Sequence, residues 1–436
     1  MTSKKDKMEA FKAKLQTATA EIVNFDLAVD RRVQDLLDFK GNRPAGSELN
    51  VRRVLENDLR QRGRFAYNSL TDEVFIDGAP LQNSGVIDLK IWLDEVYKID
   101  IEKGKLFDVV AHVATIHQFD PLRAYLDRII WDGVRRIDTI LIDYFKCQDT
   151  KLNRILGPKW LCSAVARGLC QSAAGVKVDQ VLIILGDQGI GKSTGLAALA
   201  GRQYFSDSHL DLRSKEAYQQ IHSGIWIYEL AELHALRGRA AENTKMFLSA
   251  QVDRWRKPYE RAQTVRARRC IFVGTSNDQS GILSDPSGSR RFWCCTAEGN
   301  IQVAALERDR DQIWAEAVDR YRKDEKKGST WLDREEQAEL EKSNSKYEHE
   351  DPWEKIVLDA LDQNPDGVTI TEILTGRKEF DPMINREVLL WGVGMTPGGQ
   401  HSGFSRRVSG ILQKHGARQI RKKCDGKRRL AWKRAK

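Results

Sequence analysis

The sequence predicts an α/β protein with a P-loop core, an α-rich N-terminal region and a small α+β winged-helix-like C-terminal domain. Three observations carry that prediction. The apolar run 181–185 (Val-Leu-Ile-Ile-Leu) leads into Gly186-Asp187-Gln188-Gly189-Ile190-Gly191-Lys192-Ser193, and Thr194 then opens a helix-forming stretch. Strand-length apolar runs and helical segments alternate from 156 to 300, as a parallel sheet requires. Thirteen Lys/Arg and a single acid lie between Ser405 and Lys436, so the net charge of +9 belongs to the tail and the rest of the chain sums to −3.

A length of 436 residues, 41% of them hydrophobic, suits about three domains with buried cores. Residues 1–49 read as a helical arm and linker. Phe11, Leu15, Ile22, Leu27, Val33, Leu36 and Leu37 are spaced for one helix face, and 41–48 has linker composition. Residues 50–155 read as an α+β domain, with a helix near 50–62, a hairpin around 65–78, and helices at about 88–98 and 106–117. No primase-type constellation of carboxylates and histidine stands out there. The P-loop domain follows over 156–300, then a charged helical connector over 301–350.

Asp351-Pro352 opens the last domain, 351–436. Its first helix starts at Trp353, a second follows Val368, and a third runs from Phe404 to Gly416. Two strands flank Cys424-Asp425-Gly426, a turn that tolerates positive φ. In this reading Arg406 and Arg407 begin a recognition helix. Lys422, Lys423, Lys427, Arg428 and Arg429 belong to the wing, and such a local excess of cations is the electrostatic footprint of nucleic-acid binding.

Composition excludes other classes. No apolar run approaches the roughly 20 residues of a membrane span, and the N-terminus lacks an apolar signal core, so the expectation is a cytoplasmic protein without a membrane partner. The seven cysteines form no C-x-x-C pair, which predicts buried reduced thiols instead of zinc or disulfides.

The loop carries the chemistry. Glycines let backbone N–H groups turn toward phosphates at a helix N-terminus, so residues 186–194 are the candidate nucleotide-binding set. Lys192 would reach the β- and γ-phosphates, and Ser193 would hold Mg²⁺. Such a loop needs an acid at the end of a neighbouring strand. Gly224–Glu229 supplies it, with Glu229 as the metal-associated acid and Glu232 as a helper or the true base. The strand beginning at Cys270 ends at Asn277, whose amide can orient water without bringing charge; Thr275 or Ser276 could substitute. Arg290 and Arg291, after a turn, are arginine-finger candidates. Between the second and third strands, residues 251–269 hold seven bases against two acids around Pro258. Arg254, Arg256, Lys257, Tyr259 and Arg261 there suggest a hairpin that presents cations and an aromatic ring to nucleic acid.

Several blocks occur in order. They are Pro121-Leu-Arg-Ala-Tyr125 through Trp131-Asp132-Gly133, Trp160 with Val165-Ala166-Arg167, Glu229-Leu-Ala-Glu232-Leu, Lys245-Met-Phe-Leu-Ser249, Asp253-Arg-Trp-Arg256-Lys257-Pro258-Tyr259, Gly274-Thr275-Ser276-Asn277 and Asp285 through Trp293. With these, roughly residues 60–300 resemble the virulence-associated E family, phage- and prophage-type ATPases related to superfamily 3 helicases of the AAA+ class. Lys257 and Ser276 depart from the family pattern without removing a catalytic group. The loop points to ATP and Mg²⁺ as ligands, and the basic C-terminal domain to duplex DNA as its partner; the resemblance implies DNA replication as the setting and a homo-oligomer, a hexamer, moving on single-stranded DNA. The alternatives are an ATP-switched initiator that binds DNA without unwinding it and a regulatory NTPase acting on proteins.

Overall fold

The computed structural model describes residues 28–211, 214, 216–231, 240–256, 263–278, 283, 290–324, 328–347, 352–381, 386–395, 402–424 and 427–435. Among them no helix is long and apolar enough to cross a membrane. The architecture is mixed α/β around a parallel sheet.

The N-terminal part pairs strands β1 (Phe65–Asn68) and β2 (Glu73–Ile76) as an antiparallel hairpin. β3 (Ala79–Pro80) joins one side and β4 (Gln118–Phe119) the other, the latter parallel. Helices α1 (Glu48–Asn57), α2 (Asn83–Tyr97) and α3 (Lys103–Ala114) supply its core with Val51, Val54, Leu93, Leu106 and Val110. The expected linker is folded onto this unit. Val33 and Leu37 enter the same core, and the Asn50 amide donates to the carbonyls of Asp38 and Ala45 at 2.7 and 2.9 Å. The proximal part of the predicted arm, residues 1–27, lies outside the described residues.

The central sheet has five strands: β5 (Val181–Leu185), β6 (Phe205–Ser206), β7 (Ile227–Ala231), β10 (Ile271–Ser276) and β11 (Phe292–Thr296), separated in sequence by a hairpin of β8 (Val252–Trp255) and β9 (Thr264–Ala267). All five are parallel, in the spatial order β11-β5-β10-β7-β6. Alternate side chains build two separate cores, as a parallel sheet covered on both faces must. Leu182, Ile184, Val273 and Trp293 pack on one side, and Val181, Ile183, Phe272 and Phe292 on the other.

The first face is covered by α4 (Pro121–Arg128), α5 (Lys151–Gly168), α6 (Lys192–Ala200) and α9 (Val303–Lys323). This moves two expected boundaries. Leu122, Leu126, Ile137 and Ile140 share the core of Trp160 and Leu182, so the central unit begins near 121 and not at 156. The expected connector is also core: α9 buries Leu306, Ile313, Trp314 and Ala317 there, its charged residues being only the outer face of an amphipathic helix. Leu340 of α10 (Arg334–Asn344) joins them. The opposite face is covered by α7 (Glu216–Ile221) and α8 (Ala240–Leu248).

The C-terminal part has its own core, with Val357, Leu361, Ile373, Leu374, Val408, Leu412 and Trp432. Its helices are α11 (Glu354–Asp362), α12 (Ile370–Thr375) and α13 (Ser402–Lys414), followed by the antiparallel pair β14 (Arg418–Cys424) and β15 (Lys427–Lys433). Val368 bridges Trp432 and extends that pair by one residue. A second hairpin, β12 (Arg377–Asp381) with β13 (Arg386–Trp391), enters between α12 and α13 without a clear alternating signal in sequence. The Asp425-Gly426 turn lies outside the described residues.

Arg167 at the end of α5 is fully buried and ties the central unit together. Its guanidinium donates to the carbonyls of Val178 at 2.8 Å, Ala250 at 3.1 Å and Val176 at 3.4 Å, and also to Cys270. Burial pulls its pKa down to about 10, yet it stays cationic at neutral pH. Arg167→Ala would leave these buried carbonyls without a donor, at about 1–3 kcal/mol each. A loss of about 3 kcal/mol or more in denaturant unfolding is the expected result; a loss under 1 kcal/mol would contradict the clamp.

Candidate nucleotide and nucleic-acid sites

Local chain geometry shapes the glycine loop. Gly189 and Gly191 have φ of +86° and +92°, and a β-carbon on Gly186 would stand 2.7 Å from the Ala297 carbonyl oxygen. Side chains at these positions would strain the backbone or collide with it. α6 starts directly at Lys192, so the loop sits at a helix N-terminus. Asp187, Gln188 and Gly189 are exposed at its tip, Ile190 packs beneath Gly186, and Thr194 faces outward.

Lys192 is only 8% exposed, and burial holds its pKa below the usual lysine range. Its Nζ donates to Gly186 O at 2.7 Å, Asp187 O at 2.8 Å and Asn277 Oδ1 at 2.9 Å. These direct partners are neutral oxygens. Ser193 Oγ donates to Glu229 Oε1 at 2.7 Å, and the Thr275 hydroxyl donates to the same oxygen. Glu229 is 1% exposed, and its Oε2 is buried without a hydrogen-bond partner. Register explains the meeting: β10 lies between β5 and β7, pairing Thr275 with both Ile184 and Ala231. The loop, Thr275 and Asn277 share the carboxyl edge of the sheet, where open α/β sheets hold ligands. Glu229 lies in the middle of β7, level with Val273, and not at the strand end expected from sequence, and its side chain reaches Ser193 and Thr275.

The Ser193 hydroxyl and the buried Glu229 carboxylate, whose Oε2 has no partner, form a hard-oxygen donor pair suited to Mg²⁺, which takes further ligands from phosphate and water. No cluster of three or more His, Cys, Asp or Glu fit for a metal occurs among the described residues. Thr275 is the member that sequence reasoning had only as a substitute for Asn277. The strand alternation that aims it at Glu229 was the available signal. Glu232 lies outside the described residues.

Arg290 and Arg291 stand at the other edge of the sheet. Phe292 pairs with Val181, the first residue of β5, whereas the glycine loop follows its last, about 13 Å along the strand. Both arginines line a cavity of about 560 Å³ with Lys177, Tyr321 and Trp331, and Arg291 Nε is buried there without a partner.

The β8–β9 hairpin rises from that same edge. Arg254 and Arg256 are exposed, while Lys257, Tyr259 and Arg261 lie outside the described residues. Three of the seven bases counted in this segment turn inward. Arg268 is fully buried in an ion pair with Asp253, Arg269 pairs with Asp120 at 2.8 Å, and Arg266 donates to the carbonyl of Ser69. Asp253 also meets His222 Nε2 at 3.0 Å, and the His222 ring stacks on Trp255 with centroids 4.6 Å apart.

In the C-terminal part Arg406, Lys423, Arg428 and Arg429 are exposed. Two expected contact residues are tied into the fold. Arg407 lies over the Trp353 ring at 4.2 Å, and Lys422 Nζ donates to Gly367 O at 2.7 Å. Lys427 begins β15. Cys147, Cys162, Cys170, Cys270, Cys294 and Cys295 are free, and all but Cys170 are buried.

A family model described as the virulence-associated protein E-like domain matches residues 126–349, just over half of the chain and nearly all of the central unit. No curated protein matches. Solved structures similar to this chain include the apo A form of the NrS-1 C-terminal region, CTR(305–718), with 12% identity and a TM-score of 0.42 over 69% of this chain and 76% of that one. A second apo A-form structure of that region has a TM-score of 0.40 at the same identity and coverage.

The hairpin root generates a pH prediction. Burial outweighs Asp253 and lowers the His222 pKa below 6.5, so the folded state keeps a neutral ring. Above pH 6.5 neither state binds the proton and the contribution is fully present. As pH falls below 6.5 the unfolded chain binds a proton that the folded chain refuses, and stability drops. His222→Gln should make the decline between pH 6.5 and 5 shallower, by at most about 1.4 kcal/mol per pH unit. Parallel wild-type and variant curves from denaturant melts would contradict this assignment.

Proposed function

The chain belongs to the virulence-associated protein E-like family, and we propose that it is an AAA+-type P-loop ATPase of phage or prophage DNA replication, working inside the host cell as a ring-forming helicase or translocase. The observation that carries this reading is the convergence of the Ser193 and Thr275 hydroxyls on buried Glu229, beside Lys192 and Asn277. The strand order supports the class, because one strand separates the acid-bearing β7 from β5.

Mg²⁺, held through Ser193 and Glu229, would supply charge neutralisation at the β- and γ-phosphates of ATP. Lys192 would exchange neutral oxygens for phosphate, which suits a cation already removed from water. The unpartnered Glu229 oxygen is available to accept a proton or orient water, and Asn277 can hold that water without adding charge. Glu232 stays a proposed helper. Arg290 and Arg291 lie too far from their own loop to touch its nucleotide. Their position supports delivery to the nucleotide of an adjacent subunit, as a head-to-tail ring requires.

DNA would meet the hairpin on the arginine edge through Arg254, Arg256 and its tip. In the C-terminal part, three helices followed by the β14–β15 pair support a winged-helix-like reading, with Arg406 on the third helix and Lys423, Arg428 and Arg429 on the wing. Arg407 and Lys422 have packing roles there. An initiator that binds ATP and DNA without unwinding uses the same residues; strand displacement separates the two.

Lys192→Ala should fold normally and lose ATP hydrolysis by at least about 100-fold, with wild-type hydrolysis stimulated by single-stranded DNA. Glu229→Gln should bind ATP and hold the assembled state. Turnover in Lys192→Ala equal to wild type would reject the site; wild-type turnover indifferent to DNA would reject the motor.

Mixing tests the ring. Subunits carrying Arg290→Ala or Arg291→Ala, combined with subunits carrying Lys192→Ala, should recover ATPase activity wherever an intact loop faces an intact arginine. Mixed oligomers that form and show no recovery with either arginine variant would contradict action between subunits.

A further inference from the structure

A cleft of about 410 Å³ lies between α4, the carboxyl end of α6 and α9. It is about 13 Å along α6 from the glycine loop and has no part in the chemistry proposed above. Tyr125 and Arg128 enter it from α4, Arg202 and Tyr204 from the turn after α6, and Arg310 and Asp311 from α9. Tyr125 and Arg128 come from a sequence block to which no role has been given.

Its charge is unbalanced. Asp311 is its one carboxylate, and that group is already engaged: Tyr125 OH donates to Oδ1 at 2.7 Å and Arg310 Nε to the same oxygen at 3.3 Å. Arg128 and Arg202 are exposed and have no acceptor among the described residues. Three guanidiniums thus converge on one concavity against a single, occupied carboxylate. Arginine's planar fork matches phosphate bidentately, and like charges gathered around a cleft concentrate an anionic ligand. Tyr125, whose pKa burial and Asp311 hold above the ordinary value, stays a neutral phenol fixed toward Asp311.

We propose that this cleft is a second phosphate-binding site, which takes the backbone phosphates of a single nucleic-acid strand through Arg128, Arg202 and Arg310. The inference does not rest on ATP hydrolysis. Arg202 also follows the carbonyl end of α6, where a cation favours the helix. A purely structural role therefore predicts a change in melting temperature without a change in binding.

The test uses the full chain with Arg128→Gln and Arg202→Gln combined, two exposed positions outside the core. A labelled single-stranded oligonucleotide titrated at several salt concentrations should bind about tenfold more weakly, with the log–log salt slope reduced by about 1.4, two contacts at roughly 0.7 each. In a Lys192→Ala background, calorimetry with inorganic pyrophosphate separates the source of the phosphate. Lost pyrophosphate binding with unchanged oligonucleotide binding keeps the phosphate site and assigns it to free nucleotide. Unchanged binding of both probes, whatever happens to the melting temperature, overturns the proposal. A failed glycine-loop assignment appears instead as ATP turnover in Lys192→Ala alone, so the two failures are distinguishable.

Discussion

A carboxylate almost without access to water, Glu229, governs the arrangement around it. An acid at this depth is tolerable only if its oxygens find donors, and the donors come from two different segments: Ser193 from the first turn of α6 and Thr275 from the next strand. That demand fixes the register of β10 between β5 and β7, since a one-residue slip would turn Thr275 to the opposite face. It also leaves one oxygen without a donor in a site otherwise closely bonded. Such an oxygen is free to accept from water, an ion or a ligand.

The two edges of the sheet gather different groups. The carboxyl edge gathers the glycine loop and the amide. The amino edge gathers Arg167, the Asp253–Arg268 pair, His222 and the exposed arginines. Arg167 links that second edge to the first, because it grips the carbonyl of Cys270, the residue just before β10, whose far end carries Thr275 and leads to Asn277. β10 thus runs from one edge to the other, packed on both faces.

Four strands of the sheet were readable because they follow apolar runs bounded by loop signals, whereas the two-residue β6 carries no such run; the glycine loop was readable because its backbone requirement restricts residue identity. Lys192 and Ser193 followed from the spacing of the loop, and Glu229 from its place after an apolar run, although β7 continues two residues beyond it. Domain limits were not readable in the same way. The segment 301–350 looks like a connector because α9 shows water so many charges, while Trp314 and Ile313 on its inner face are too sparse to announce a core. Residues 41–48 look like a linker because composition cannot reveal Asn50 bonding the carbonyls of Asp38 and Ala45. The hairpin between α12 and α13 has strands of mixed polarity, a weak signal for any periodicity.

Charge counting overstates the exposed cations for a physical reason. In 251–269 the sequence shows seven bases, but burial divides them. Arg268 is balanced by Asp253 and covers the Phe247 ring at 4.5 Å, whereas Arg269 reaches across to Asp120 and the carbonyl of Arg167. A guanidinium can close backbone carbonyls, pair with an acid and lie on an aromatic face at once, so it is the cation least reliable as a marker of solvent-facing charge. The same holds at Arg407, over Trp353. Conversely, Arg128 and Arg202 drew no notice in sequence because they are isolated there, 74 positions apart, and only the packing of α4 against the end of α6 brings them to one cleft. For this chain the positive surface left to solvent is decided by which arginines the core has already consumed.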